Sequence, residues 1–97
     1  MGTASAGAVA DFVDARLGLL LAHDRQRHGR LTDTVEAWLA SGASPSEAAR
    51  QLGIHVNTLY QRLDRVSTLL GASWRDPARR LELQLALQLR HIVGERG

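Results

Sequence analysis

The stretch SPSEAARQLGIHVNTLYQRLDRV, residues 44–66, is the most informative part of this sequence for the fold. Ser44 can cap a helix that begins with proline, and Glu47 three residues later completes the pattern of a reciprocal capping box. Gly53 lets the backbone turn soon afterwards, and a second helical pattern is under way by Val56. A turn this short prevents the two helices from lying side by side, so the stretch predicts a helix-turn-helix.

The rest of the chain is predicted to be helical as well. Apolar residues recur at three- and four-residue spacing, and only two prolines interrupt the 97 residues, so we expect an all-α fold. Start and stop signals divide the chain into a five-helix bundle, with helices over about 8–27, 32–40, 45–52, 56–70 and 77–93. Residues 1–7 are predicted to be a disordered lead-in, and residues 8–97 a single helix-turn-helix domain.

Composition argues against several classes of function. The chain has no cysteine, and its four histidines show no i,i+4 pair, so we expect no metal site. It also lacks a glycine-rich phosphate loop and a nucleophile motif, and we therefore predict no enzyme, no cofactor and no small-molecule site. Apolar runs are too short to span a membrane and no signal peptide is visible, so the predicted location is the cytoplasm.

The fourth predicted helix has two different faces. A step of about 100° per residue places one set of apolar side chains on the core side: Val56, Leu59, Leu63, Val66 and Leu70. The opposite side, with the residue just before the helix, is polar: His55, Asn57, Thr58, Gln61, Arg62 and Arg65. Such groups match base-edge donors and acceptors or bind phosphates, and the major groove admits one α-helix. We therefore predict a recognition helix over about 56–70, with double-stranded DNA as its partner.

The bracing helix is predicted to contact DNA phosphates through its first turns. The candidate residues are Ser44, Ser46 and Arg50, because helix N-termini and arginines commonly bind the DNA backbone. A merely solvated polar face is the alternative, since the net charge is only +2 and Asp64 lies at the margin of the face. We favour DNA because the capping pattern, the glycine turn and the arginine-bearing second helix occur together.

The last predicted helix is apolar on two sides. We assign one stripe to the core: Leu81, Leu85, Leu89 and Ile92. Leu83 and Leu87 lie opposite, and they are candidates for contacts in a homodimer, with burial inside the chain equally open. The alternative function is therefore a helical protein-interaction or dimerisation module that does not bind DNA.

Residues 52–71, LGIHVNTLYQRLDRVSTLLG, resemble the C-terminal helix-turn-helix domain of PucR-type (CdaR-like) transcriptional regulators. The similarity extends upstream through LLLAHDRQRHGRLTDTVEAWLASGAS and downstream through DPARRLELQLALQLR, so that it covers nearly everything from Leu17 to Arg90. The resemblance implies a sequence-specific DNA-binding domain of a transcriptional regulator. It also places four residues on the family's signature positions: His55, Asn57, Thr58 and Arg62.

Two residues depart from the family pattern. Val56 stands where family members often have a basic residue or proline, and Gln61 where they often have tyrosine. The departures leave the fold expectation intact but leave the bound DNA sequence open. Regulators of this family are normally much longer, with this domain behind a sensory region, so the resemblance implies an excised domain or a truncated relative.

Overall fold

The computed structural model describes residues 2–96 and gives side-chain surroundings for residues 7–93. Met1 and Gly97, which the predictions placed in the lead-in and the domain, lie outside the described residues. Residues 2–96 form five α-helices and no strand, which confirms the all-α prediction. The helices are α1 (Gly2–Arg27), α2 (Leu31–Ala40), α3 (Pro45–Leu52), α4 (Val56–Leu70) and α5 (Pro77–Arg96), and a 3₁₀ turn (Ala72–Arg75) connects the last two. None of these helices combines the length and apolarity needed to cross a bilayer.

The helix bounds agree with the sequence prediction in the middle of the chain and differ at its ends. α3 and α4 begin and end where predicted. α1 begins at Gly2 instead of near residue 8, so it continues into the predicted lead-in, which contains alanines and no proline. The other end of α1 is at Arg27, as predicted, and His28 then takes the left-handed conformation, with φ of 51°.

One hydrophobic core joins the five helices. α2, α3 and α4 pack on one another, and α1 and α5 pack together and against α2. Ala48 and Ala49 are buried, and their small side chains let α3 approach its neighbours closely. The buried apolar residues are Leu17, Leu20, Leu31, Val35, Trp38, Leu39, Ala48, Ala49, Leu59, Leu63, Val66, Trp74, Leu83, Ala86 and Leu87.

The 3₁₀ turn contributes the largest fully buried side chain, Trp74. Its ring centroid lies 5.1 Å from that of Trp38, with the planes tilted by 57°. Its indole N–H donates a hydrogen bond of 2.8 Å to the Ser67 hydroxyl of α4. Because the tryptophan contacts α2 and α4 from the segment that leads into α5, it fixes where α5 starts.

The Asp24 carboxylate near the end of α1 caps the start of α2. Its two oxygens accept hydrogen bonds from the backbone N–H groups of Leu31 (2.8 Å) and Thr32 (3.0 Å). Burial by itself raises the pKa of Asp24, but these backbone hydrogen bonds and the neighbouring His23 outweigh it and lower the pKa below 3.8. The turn between α1 and α2 is therefore held by a charged cap that the sequence analysis did not identify.

Replacing Asp24 by alanine is expected to lower the free energy of unfolding at pH 7 by about 1 to 2 kcal/mol, because two helix N–H groups lose their acceptor. The folded pKa of Asp24 is lowered, so the stabilisation is fully present above the unfolded pKa and disappears as the pH falls through the folded pKa. Urea denaturation of both proteins over a descending pH series tests this, with Asp14→Ala, an exposed residue of α1, as control. A stability difference that stays constant into acid would contradict the capping role.

The orientation of α5 corrects the predicted dimer contacts. Leu83 and Leu87 are 2% and 3% exposed and belong to the core, whereas Leu81, predicted as core, is 68% exposed. Leu85 and Ile92 of the predicted core stripe are exposed too. Leu83 and Leu87 are therefore unavailable for contacts with a second chain.

Two polar pairs lie on either side of the buried face of α5. On one side Glu82 lies 3.3 Å from Arg16 of α1, measured from Oε1 to Nε. On the other side His91 Nε2 lies 2.7 Å from Glu36 Oε2 of α2. A rotation that buried the opposite stripe would break both pairs, and no local pattern in α5 reveals its partners on α1 and α2.

Candidate nucleic-acid interface

The helix-turn-helix has the predicted cap and turn but only half of the predicted capping box. The Ser44 hydroxyl accepts a hydrogen bond of 3.3 Å from the Glu47 backbone N–H. The reciprocal bond is replaced, because the Ser44 N–H donates to Ser41 Oγ (3.1 Å) and the Glu47 carboxylate binds the Arg50 guanidinium instead. Gly53 makes the turn in the left-handed conformation, with φ of 69°.

α4 presents its polar face to solvent, as predicted. Leu59, Leu63 and Val66 are buried on the inner side. On the outer side Asn57, Gln61 and Arg65 are exposed, and Thr58 and Arg62 are half-buried. Among residues 7–93 nothing covers Asn57, Gln61 and Arg65, so three side chains that can bind bases or phosphates are free to do so.

Arg62 is the one member of this face that another helix holds. Its Nη1 donates a hydrogen bond of 3.3 Å to the hydroxyl of Thr34 in α2. That hydroxyl in turn donates to the Arg30 carbonyl (2.7 Å). The guanidinium is thus oriented by α2, and sequence reasoning about α4 alone had no means of finding its partner.

Tyr60 is an exposed aromatic residue on α4 that the sequence analysis did not single out. It is 49% exposed and follows Asn57 by three residues, so the two side chains lie on the same side of the helix. The i,i+3 spacing was a usable signal. An exposed tyrosine combines an apolar ring with a hydroxyl that donates and accepts hydrogen bonds, which suits contact with a sugar-phosphate backbone.

His55 caps α4. Its Nδ1 accepts a hydrogen bond of 3.1 Å from the Asn57 backbone N–H, so the neutral ring carries its proton on Nε2, which points away from the helix end. His55, which was predicted to contact DNA at the start of the recognition helix, therefore also stabilises the start of that helix. Nδ1 caps the helix while Nε2 of the same ring is left for a ligand, so one side chain can both cap α4 and contact DNA.

His55→Ala is expected to lower the free energy of unfolding by about 0.5 to 2 kcal/mol, whereas His55→Asn keeps a capping oxygen and stays close to wild type. Chemical denaturation of the two variants separates the cap from any contact with a ligand. An alanine variant as stable as the wild type would show that the ring does not stabilise the helix by capping it.

Two of the residues predicted to contact phosphates, Ser44 and Ser46, lie at the start of α3, and Arg50 lies in its last turn. Ser46 is exposed, whereas Ser44 is half-buried and engaged as the cap. Arg50 is exposed but pairs with Glu47, and this hydrogen-bonded guanidinium lowers the pKa of the Glu47 carboxyl. The ion pair reduces the positive charge that Arg50 offers to an anion. Of the three residues, Ser46 is therefore the most available for a phosphate contact.

An open groove of about 500 Å³ runs between α4 and the connection of α1 to α2. On the α4 side it is lined by Thr58, Gln61, Arg62 and Arg65. On the other side it is lined by His23, Arg27, His28, Gly29, Arg30 and Leu31. The sequence analysis did not include Arg27 and Arg30, because only the tertiary fold brings that connection beside α4.

Comparison with known proteins gives a consistent family. Residues 31–89 match the profile of the PucR C-terminal helix-turn-helix domain. The chain is 34% identical over 73 residues to the purine catabolism regulatory protein of Bacillus subtilis (strain 168), covering 75% of this chain and 14% of that protein. It is 40% identical over 62 residues to the carbohydrate diacid regulator of Escherichia coli (strain K12), covering 64% and 16%. It is 29% identical over 76 residues to the DNA-binding transcriptional activator AdeR of Bacillus subtilis (strain 168), covering 78% and 18%.

No solved structure matches the chain. The chain spans less than a fifth of the length of each of these three relatives, all of which are named as regulators or activators. The matched segment contains α2, α3, α4 and most of α5, which are the elements that build the helix-turn-helix and its core. The chain belongs to the PucR C-terminal helix-turn-helix domain family of transcriptional regulators.

Proposed function

We propose that this domain binds double-stranded DNA in a sequence-specific manner, with α4 in the major groove. The observation that carries the proposal is the exposed row of Asn57, Gln61 and Arg65 on a helix whose other side is anchored in the core. An anchored helix fixes the backbone from which these side chains project, and this lowers the entropy lost on binding. The structure therefore supports base recognition as well as general attraction to phosphate.

The three exposed side chains of α4 differ in the DNA groups that they can bind. Asn57 and Gln61 carry amides, which pair with adenine through one donor and one acceptor. Arg65 carries a guanidinium, which pairs with guanine O6 and N7 or binds a phosphate. The remaining candidates for contacts are His55 Nε2, Thr58, Arg62 and Ser46. The cap residue Ser44 and the ion-paired Arg50 are more restricted.

The names of the relatives support the same conclusion. One is named a DNA-binding transcriptional activator, and two others are named regulators. A domain that binds chromosomal DNA must be in the same compartment as the chromosome. We therefore also propose a cytoplasmic location.

Selection of binding sites from random duplexes, followed by fluorescence anisotropy on the selected site, tests the proposal. We expect a site bound about 10³-fold or more tightly than unrelated duplexes, with an affinity that falls steeply as salt rises. Asn57→Ala should reduce the preference for the selected site. Enrichment of no sequence, together with equal affinity for all duplexes, would overturn sequence-specific binding.

Homodimerisation is favoured by a different observation, and it is compatible with DNA binding. α5 exposes Leu81, Leu85 and Ile92 on the side opposite Leu83 and Leu87, the pair first predicted to meet a second copy. A homodimer through these residues would combine with DNA binding, because twofold regulators read paired half-sites. Sedimentation equilibrium of wild type and Leu85→Asp tests it, and a wild-type protein that stays monomeric at high concentration would exclude it.

A further inference from the structure

We infer that the connection between α1 and α2 is a second DNA-contacting element, in which Arg27 and Arg30 bind the phosphates of the backbone beside the major groove that α4 enters. The inference rests on the proposed function and extends it to a part of the chain outside the helix-turn-helix. Its partner is the sugar-phosphate backbone of duplex DNA, bound without regard to base sequence.

The first support is position. Arg27 lies in the last turn of α1 and Arg30 immediately precedes α2, and both are exposed. Both line the groove whose opposite wall is formed by Gln61 and Arg65 of α4. A duplex that receives α4 in its major groove must place one of the flanking backbones along this side of the helix, next to the two arginines.

The second support is charge. The groove is lined by Arg27, Arg30, Arg62 and Arg65, and within the described residues no carboxylate lines it. The carboxylate near Arg30 is that of Asp33, at 3.7 Å, and both side chains of this pair are more than half exposed. Such an exposed pair is weak and is readily exchanged for a phosphate. Arg27 forms no ion pair within residues 7–93.

The third support is rigidity. Asp24 binds the first N–H groups of α2, so the end of α1 and the start of α2 are fixed to each other. Thr34, which accepts from Arg62 and donates to the Arg30 carbonyl, connects the same segment to α4. The backbone that carries Arg27 and Arg30 is therefore held at a set distance from the recognition helix, unlike a flexible basic tail.

The test is the salt dependence of binding to the selected duplex and to an unrelated duplex. In the double variant Arg27→Gln/Arg30→Gln, the slope of log affinity against log salt should become less steep by about 1.8, since each phosphate contact contributes about 0.9. Affinity for the two duplexes should fall by the same factor. The preference for the selected site, which depends on α4, should not change.

The matched control is Arg79→Gln/Arg90→Gln, which removes the same charge from α5, where neither residue lines the groove. Circular dichroism melts of both variants establish that the fold is retained. The inference is overturned if the groove variant keeps the wild-type slope, or if the control changes the slope as much. Either of these results leaves the proposed function standing if the wild type still prefers its site. A wild type without affinity for DNA would overturn both the inference and the proposed function.

Discussion

Replacing Trp74 by alanine is expected to lower the free energy of unfolding by about 3 to 5 kcal/mol, more than the loss of the Asp24 or His55 cap. The side chain is fully buried, contacts Trp38 and donates its indole N–H to Ser67. Alanine leaves a cavity at the junction of α2, α4 and α5 and leaves the Ser67 hydroxyl without its donor. A domain of this size has a total stability of about 5 to 15 kcal/mol, so the loss removes between about a fifth and nearly all of it.

Urea denaturation followed by circular dichroism measures the effect, and Trp38 remains as an independent fluorescent probe. Trp74→Phe is the control that keeps the variant foldable, because it retains an aromatic ring and loses the hydrogen bond to Ser67, at an expected cost of about 1 to 3 kcal/mol. If the alanine variant unfolds within about 1 kcal/mol of wild type, or if the phenylalanine variant is the less stable of the two, Trp74 does not anchor the core.

Arg65→Ala is expected to weaken binding to the selected duplex by about 1 to 3 kcal/mol, or roughly 5- to 150-fold, with an unchanged melting temperature. The side chain is exposed, so its removal costs the folded protein little. If Arg65 reads a base, the loss is confined to the selected site. If it binds a phosphate, the loss is equal on all duplexes and the salt slope falls by about 0.9.

Arg90→Ala on α5 is the control for loss of one exposed charge. Arg62→Ala provides an informative contrast, because removal of its hydrogen bond to Thr34 is expected to lower stability by about 0.5 to 1.5 kcal/mol in addition to any effect on binding. Binding by the Arg65→Ala protein that equals the wild-type affinity on both duplexes would remove Arg65 from the interface.

Much of the fold could be predicted because its signals are local. Ser44 with the following proline, Gly53 at a positive φ, and the division of α4 into apolar and polar faces depend only on residues within a few positions of one another. These are the places where prediction and structure agree. The predicted candidates Asn57, Gln61 and Arg65 are exposed for the same reason, since burial of Leu59 and Leu63 leaves the other side of the helix outward.

Contacts between residues far apart in the sequence account for the features of the structure that the sequence did not predict. The role of Asp24 as a cap depends on N–H groups seven and eight residues away. The partner of Arg62 is 28 residues away in the chain. The grouping of Arg27 and Arg30 with Arg65 depends on how α1 and α2 pack beside α4.

Local sequence signals are sufficient to specify the all-α class, the helix-turn-helix and the polar row of α4, because capping, glycine conformation and helical periodicity act over one or two turns. Which leucines of α5 are buried depends on packing between helices, because α5 is apolar on two sides and either side could face a core. In the fold Leu83 and Leu87 are buried, and Arg16 and Glu36 on other helices pair with residues that flank them. The extent of the basic surface also depends on packing, since charges far apart in sequence form one groove only when the core brings their helices together.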